Sequence, residues 1–225
     1  MARPRGDIAP RIVHAARRRF LGEGVDGASL RAIAADAGTN IGMVYYYYPS
    51  KDDLFLAVVE ESYAGVLAGI ATALDPAASV PIRLERLFAR LGALSVDEGE
   101  VLRLIIREAL ASPVRLSQLI ARFRRGHVPL MIDLIREGVR DGHLRSDLPP
   151  AVLLVATVAL AGPAQVLLGL VRGKLGLPES FTGSATAAAP ALLEALFHGI
   201  GRTGPPPEPR PARRPRSPRR RSGQR

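Results

Sequence analysis

The sequence contains no cysteine, which excludes disulfides and thiolate metal sites. Lysine is nearly absent as well. Only Lys51 and Lys174 occur, so almost all the positive charge is arginine. No segment sustains the alternation and β-branched enrichment of strands, so no sheet is expected. Residues 1–20 hold no uninterrupted apolar run. They carry Arg3, Arg5, Arg11, Arg17, Arg18 and Arg19, unlike a secretory signal, and a cytoplasmic location is the expectation. No glycine-rich phosphate loop follows a strand, and there is no nucleophile elbow. The histidines His14, His127, His143 and His198 are scattered, without metal-ligand spacing or accompanying carboxylates. Surface or capping roles are expected for them, with no metal, no cofactor and no enzymatic activity.

What is present is apolar bulk and unevenly placed charge. The 225 residues are 47% hydrophobic, enough to bury a sizeable core. The net charge is +10. Residues 202–225 hold nine arginines against Glu208, a balance of +8, leaving about +2 for the rest of the chain. This proline- and arginine-rich tail has almost nothing apolar to bury and is expected to be disordered. Its role stays open between non-specific attraction to DNA and drift in an arginine-rich composition. A second cluster sets six arginines against Asp7 within residues 1–20.

The body of the chain reads as all-α. A first helix spans 7–22, capped by Asp7, with Pro10 in its first turn and Ile8, Ile12, Ala15, Ala16 and Phe20 on one face. Gly22, Gly24 and Gly27 end it in a loop. Short helices follow at 29–37 and about 40–47, and Ser50, Asp52 and Asp53 begin a long one. Helical segments at 81–95, 98–111, 113–143, 150–172 and 185–200 are separated by Pro, Gly or Ser.

The informative stretch is 29–48, SLRAIAADAGTNIGMVYYYY. Two short helices hinged at a glycine are the geometry of a helix-turn-helix. Ser29 caps the first helix, Ile33, Ala34 and Ala37 face inward, and Gly38 can take the left-handed conformation that ends it. Asn40 caps the second, and Val44 points to the interior. Ile41, Gly42 and Met43 occupy the first turn of that second helix, where a recognition helix enters the major groove. Arg31 has the reach and planar donors to meet a guanine edge. Tyr45, Tyr46, Tyr47 and Lys51 are suited to phosphates. Tyr45 is equally suited to packing inside the small domain.

Here the chain resembles the tetracycline-repressor (TetR) family. The match runs from Phe20…Gly24, through Ser29-Leu-Arg-Ala-Ile-Ala and Ala37-Gly38, to Tyr45-Tyr-Tyr-Tyr-Pro-Ser-Lys51 and Leu54, covering about residues 8–66. Thr39 and Asn40 stand where the family usually has a small hydrophobic residue and then Ser or Thr, and Tyr48 where it usually has Phe. The resemblance implies an N-terminal three-helix DNA-binding domain over 6–66. A larger helical effector-binding and dimerisation domain over 67–201 follows, and then the basic tail 202–225. It further implies that Ser29, Arg31, Asn40, Ile41, Met43, Tyr45, Tyr46, Tyr47 and Lys51 lie at or beside DNA-touching positions, with Gly42 among them. A C₂ dimer on a pseudo-palindromic operator, repression, and release by a small apolar or amphipathic ligand are the activity it implies; activation stays open.

Phe88, Leu91, Leu104, Phe123, Met131 and Leu134 are candidates to line a ligand pocket, though for any one of them a place in the ordinary core is the favoured reading. Asp133 and Glu137 with Arg136 and Arg140 are expected to form a solvated helix face. Residues 151–171 carry no charge and are long enough to span a bilayer. A single span would carry the arginine tail across the membrane, which the positive-inside rule disfavours. Residues 150–172 and 187–200 are therefore assigned to a subunit interface, and no membrane partner is expected. Two other readings remain: a sequence-tolerant architectural DNA binder that relies on its tail, and a helical enzyme or carrier with a vestigial motif.

Overall fold

A computed structural model describes residues 8–174, 176–184 and 187–198. The expected Asp7 cap, Arg3, Arg5 and the tail 202–225 lie outside these residues, as do positions 199–200 of the assigned interface. The described chain is all-α. Its helices are α1 (Ile8–Gly27), α2 (Leu30–Asp36), α3 (Ile41–Tyr47), α4 (Lys51–Ala73), α5 (Val80–Gly92), α6 (Val96–Ala111), α7 (Pro113–Phe123), α8 (His127–Arg140), α9 (Pro150–Ala161), α10 (Pro163–Lys174), α11 (Glu179–Thr182) and α12 (Ala188–His198). The first three and the start of α4 form a small head, and the rest forms the body.

Helix α1 runs past the expected end at Gly22 because it is two helices joined at a kink. Gly24 adopts φ 78, ψ 165, and the chain then makes one further turn. A left-handed φ is easy only for glycine. At the kink the Val25 amide and the carbonyls of Phe20 and Leu21 find partners on α6. Arg107 of α6 donates to both carbonyls, and the Val25 N–H donates to Oε1 of Glu108 at 3.2 Å. A break written locally by glycine thus ties the head to α6.

Two apolar clusters fill the interior. The first joins Ile12, Phe20, Ile33, Val44, Leu54 and Phe55 of the head to Leu104 of α6 and Leu119 of α7. The second joins Ile70, Leu84, Phe88, Leu134 and Ile135 to α9 and α12. Helix α4 supplies both, from Leu54 to Tyr63 in the first and from Ile70 in the second. Its start is fixed by a capping box: Ser50 Oγ accepts from Asp53 N at 3.0 Å, and Ser50 N donates to Asp53 Oδ2 at 3.0 Å.

Two long segments are broken more than the sequence suggested. Residues 113–143 divide at Arg124–Gly126 into α7 and α8. Residues 150–172 divide at Gly162, because Pro163 has no N–H with which to continue the ladder. Lys51–Ala73 and Pro150–Gly173 are both long and apolar enough to cross a membrane by length and composition. Val152, Val155 and Val158 of α9 and Leu167 of α10 are exposed.

The acid–base pairs of α8 are only partly a solvated face. Arg136 lies 3.8 Å from Asp133 in solvent, but Glu137 reaches across to the buried Arg83 of α5, and Arg140 pairs with Asp141.

Candidate functional site

The local geometry of 29–48 follows from its caps. Ser29 Oγ accepts from Ala32 N at 3.4 Å, and Asn40 Oδ1 accepts from Met43 N at 3.0 Å. Gly38 has φ 62, and the Arg11 guanidinium of α1 occupies the space a Cβ would need there, donating to the carbonyls of Ala37 and Gly38. Arg19 of α1 clasps both carboxylate oxygens of Asp36 at 2.8 and 3.2 Å, so α2 is pinned to α1 from outside as well as through the core.

Val44 is the one buried residue of α3. Ile41 and Met43 are half-buried, while Gly42, Tyr45 and Tyr46 are exposed. Tyr45 keeps 51% and Tyr46 77% of its surface, so the packing role open for Tyr45 is not the one it takes. Tyr47 packs instead: it lies against the head core and meets Tyr46 edge to face at 5.2 Å. Arg31 is exposed and makes no hydrogen bond or ion pair with the described residues. Ser29 and Asn40 are exposed beside it. Lys51 differs from expectation. Its ammonium donates to the Asp26 carbonyl at 3.0 Å, so at least one of its three donors is turned toward the head's own loop.

Behind the head, Arg115 at the start of α7 gathers four helices. It donates to both oxygens of Asp26 at 2.9 and 2.7 Å and to Asp52 at 3.2 Å, and pairs with Glu108 at 3.2 Å. The side chains of Arg115 and Glu108 are each 4% exposed. The bidentate Arg115 contact holds the Asp26 carboxyl below the ordinary range, and Asp26 in turn holds the guanidinium above its own. Sequence reasoning missed this cluster, whose members lie far apart along the chain.

A cavity of about 240 Å³ opens in the body between α4, α5, α6, α8 and α9. Leu91, Phe123 and Met131 border it. Phe88, Leu104 and Leu134 do not: each is almost fully buried in solid core, Leu104 with the head cluster and the other two with the body cluster. Helical periodicity marks inward residues but not which of them border an unfilled space.

Sequence reasoning also missed the cavity's polar end. His127 is not a surface residue but lines the cavity with Tyr63, whose hydroxyl sits 2.7 Å from its Nδ1. Burial, then the nearby Arg122, push the imidazole pKa down. Arg122 lies 4.5 Å over the Tyr63 ring and is held by Glu60. His14, His143 and His198 are exposed, and no metal-binding cluster occurs among the described residues.

An all-helical chain whose small head presents a capped helix-turn-helix, carried on a larger body, defines the class of helix-turn-helix regulators. Residues 12–58 match the family described as bacterial regulatory proteins, tetR family. The chain is 30% identical to the HTH-type transcriptional repressor SCO4008 of Streptomyces coelicolor over 169 residues, covering 74% of this chain and 82% of that one. It is 23% identical to the HTH-type transcriptional regulator UidR of Escherichia coli over 84% of this chain and 91% of the relative. Among solved structures, the fold matches the transcriptional regulator FadR from Bacillus subtilis in complex with stearoyl-CoA, with a TM-score of 0.68 at 18% identity over 85% of this chain and 99% of that one. It also matches the TetR family regulator PfmR from Thermus thermophilus, with a TM-score of 0.61 at 20% identity over 85% and 96%. The chain belongs to the TetR family of transcription regulators.

Proposed function

We propose that the protein is a sequence-specific repressor that leaves its operator when a small molecule enters the cavity of its body. The observation that carries this reading is the surface of α3, where Val44 alone is buried, Gly42, Tyr45 and Tyr46 are exposed and Ile41 and Met43 half-exposed, together with an exposed Arg31 that has no partner among the described residues. In the proposed complex this face enters the major groove and Arg31 meets a guanine edge. Ser29, Asn40, the tyrosines and Lys51 hold the phosphates on either side. The domain division we propose is 6–66, 67–201 and 202–225, with α4 shared between the first two.

Two copies would pair through 150–172 and 187–200, which accounts for the apolar surface left on α9 and α10. The dimer would present two α3 helices about 34 Å apart to successive grooves. Coupling has a physical route. Helices α4 and α6 line the cavity with Val59, Tyr63, Leu102 and Ile105, and also hold the head through Asp52 and Glu108. A ligand that favours a different setting of these helices changes the separation of the two α3 helices, and operator affinity falls by the ligand's differential affinity for the two settings, on the order of 1–3 kcal/mol or more.

The test is selection of bound fragments from the source genome, followed by Arg31→Ala on the operator that emerges. The expected result is a loss of about 1–3 kcal/mol with relaxed discrimination at one base pair. Removal of residues 203–225 should leave the operator preference intact. Failure to recover any preferred duplex sinks the reading, and collapse of binding without the tail favours an architectural role.

A further inference from the structure

The Tyr63–His127 pair fixes what the cavity asks of its occupant. Tyr63 Oη lies 2.7 Å from His127 Nδ1 and accepts the His127 backbone N–H at 3.2 Å. A phenol has one proton to give. The Tyr63 ring is buried, and its hydroxyl has no other partner among the described residues, so that proton is satisfied only by pointing at Nδ1. The opposite polarity, Nδ1–H donating to Oη, would strand the phenolic proton. Neutral His127 therefore carries its own proton on Nε2. This nitrogen makes no hydrogen bond to the described residues, yet it is not one of the fully buried side-chain atoms that lack a hydrogen bond, which among the described residues are Arg83 Nε, Arg115 Nε and Gln118 Oε1. It is an accessible donor on a ring that lines a largely apolar space, whose other polar lining residues are Tyr63, Ser62 and Glu98.

Two further observations show that the pair is built. A Cβ on Gly126 would collide with the Tyr63 hydroxyl, so glycine is what lets that oxygen reach the next residue's amide. Burial and Arg122 hold His127 neutral near pH 7. The lining has no arginine or lysine. Its one carboxylate, Glu98, is taken by Arg90 at 2.5 Å and by the Ser95 amide at 2.8 Å. An anionic ligand would be desolvated with no partner, and a cation would find a carboxylate already neutralised. The aromatic rings of Tyr63, Phe123 and His127, with centroids 5.0 to 5.8 Å apart, form one end of the space. For scale, a cavity of ~150 Å³ holds benzene.

We propose that the cavity takes a compact, uncharged, mostly apolar molecule of about ten non-hydrogen atoms, bearing a carbonyl oxygen that accepts from His127 Nε2–H. The ligand class rests on the reading of the cavity as the effector site.

The full chain is titrated calorimetrically with four probes of equal size: cumene, acetophenone, benzoate and benzamidinium. Acetophenone should bind about tenfold more tightly than cumene, the factor one satisfied donor supplies, and neither ion should bind better than cumene. His127→Phe should erase the gap while keeping cumene binding. Gly126→Ala, which moves the Tyr63 hydroxyl off Nδ1, should narrow it and guards against a folding defect in the first variant. Long-range proton–nitrogen spectra of the free protein should show the proton on Nε2. A proton on Nδ1, an ion binding best, a gap untouched by His127→Phe, or no binding by any probe overturns the ligand class. None of these measurements involves DNA. If the ketone binds as expected but never releases the operator, the ligand class stands and the regulatory reading falls. If a charged compound seated in the cavity releases the operator and the ketone does not bind, the reverse holds.

Discussion

In the head, Phe20, Ile12 and Ile33 are fully buried and the apolar surface left outside belongs to the tyrosines of α3; in the body, helices of similar composition leave about 240 Å³ unfilled. The head is closed and presents its chemistry outward, while the body is open and presents its chemistry inward. Unfilled space forfeits the dispersion contacts of its lining, so a fold that keeps such a space gives up stability in the region that holds it. Between the two sits Arg115, a charged joint where an apolar one would be simpler. It is bound on one side to Asp26 and Asp52 and on the other to Glu108. Apolar packing is indifferent to small slides, but a bidentate guanidinium is directional. The joint therefore fixes the angle between the regions as well as their contact.

The largest expected effect comes from breaking that joint. Arg115→Met keeps most of the volume but leaves the buried Glu108 with Arg107 as its one remaining cation among the described residues, and should cost about 3 kcal/mol in urea unfolding, toward the low end because Arg107 stays at 3.1 Å and Asp26 reaches solvent. The double variant Arg115→Met with Glu108→Gln should recover part of the loss. A single variant within about 0.5 kcal/mol of the parent would mean the two regions are held by packing alone.

The contrast in packing can be sharpened by paired truncations. Ile33→Ala, in the closed head, should cost about 3–4 kcal/mol, and Ile106→Ala, whose side chain already borders open space, about 1–2 kcal/mol. Equal costs would show that the cavity is filled in solution. Next in size is the cap of the exposed helix. Asn40→Ala removes the acceptor for the Met43 amide and should cost about 1 kcal/mol, measured as a shift of the unfolding midpoint at unchanged slope.

The same division separates what the sequence made legible from what it hid. The helix-turn-helix could be read because its determinants are local: Ser29, Gly38, Asn40 and Ser50 each act within about four residues of themselves. The joint and the polar end of the cavity could not, since Arg115 meets Asp26 across 89 positions and Tyr63 meets His127 across 64. A lone histidine with no neighbouring ligand-type residue reads as a surface group until a distant helix supplies its partner. The cavity was half visible. Periodicity picked out Leu91 and Met131 together with Phe88 and Leu134, but which of these inward residues face solid core and which face space is decided by how α4, α6 and α8 splay, a tertiary property. Breaks behaved likewise: Gly22, Gly24 and Gly27 read as a loop that ends α1, yet the chain makes a further helical turn after Gly24, where Arg107 and Glu108 bind backbone groups at the kink.

The smallest effect is a dependence on pH confined to the body. His127 is held below its ordinary value, by burial first and by Arg122 second, whereas in the unfolded chain it titrates near pH ~6.5. Above that value the imidazole is neutral in both states and contributes no pH dependence. As the pH falls through it, the unfolded chain takes up a proton that the folded chain resists, so stability is lost with each further drop until the folded value is reached. The slope cannot exceed about 1.4 kcal/mol per pH unit for one group. Around the ring, Arg122 and its partner Glu60 keep their charges through this window, since the pair holds the Glu60 carboxyl below its usual range, and Tyr63 stays protonated because burial pushes it up. Urea midpoints from pH 7.5 to 5 should therefore decline for the parent and decline less for His127→Phe. Identical slopes for the parent and His127→Phe would mean that the ring reaches water and that the body is as open to solvent as the head's tyrosine face.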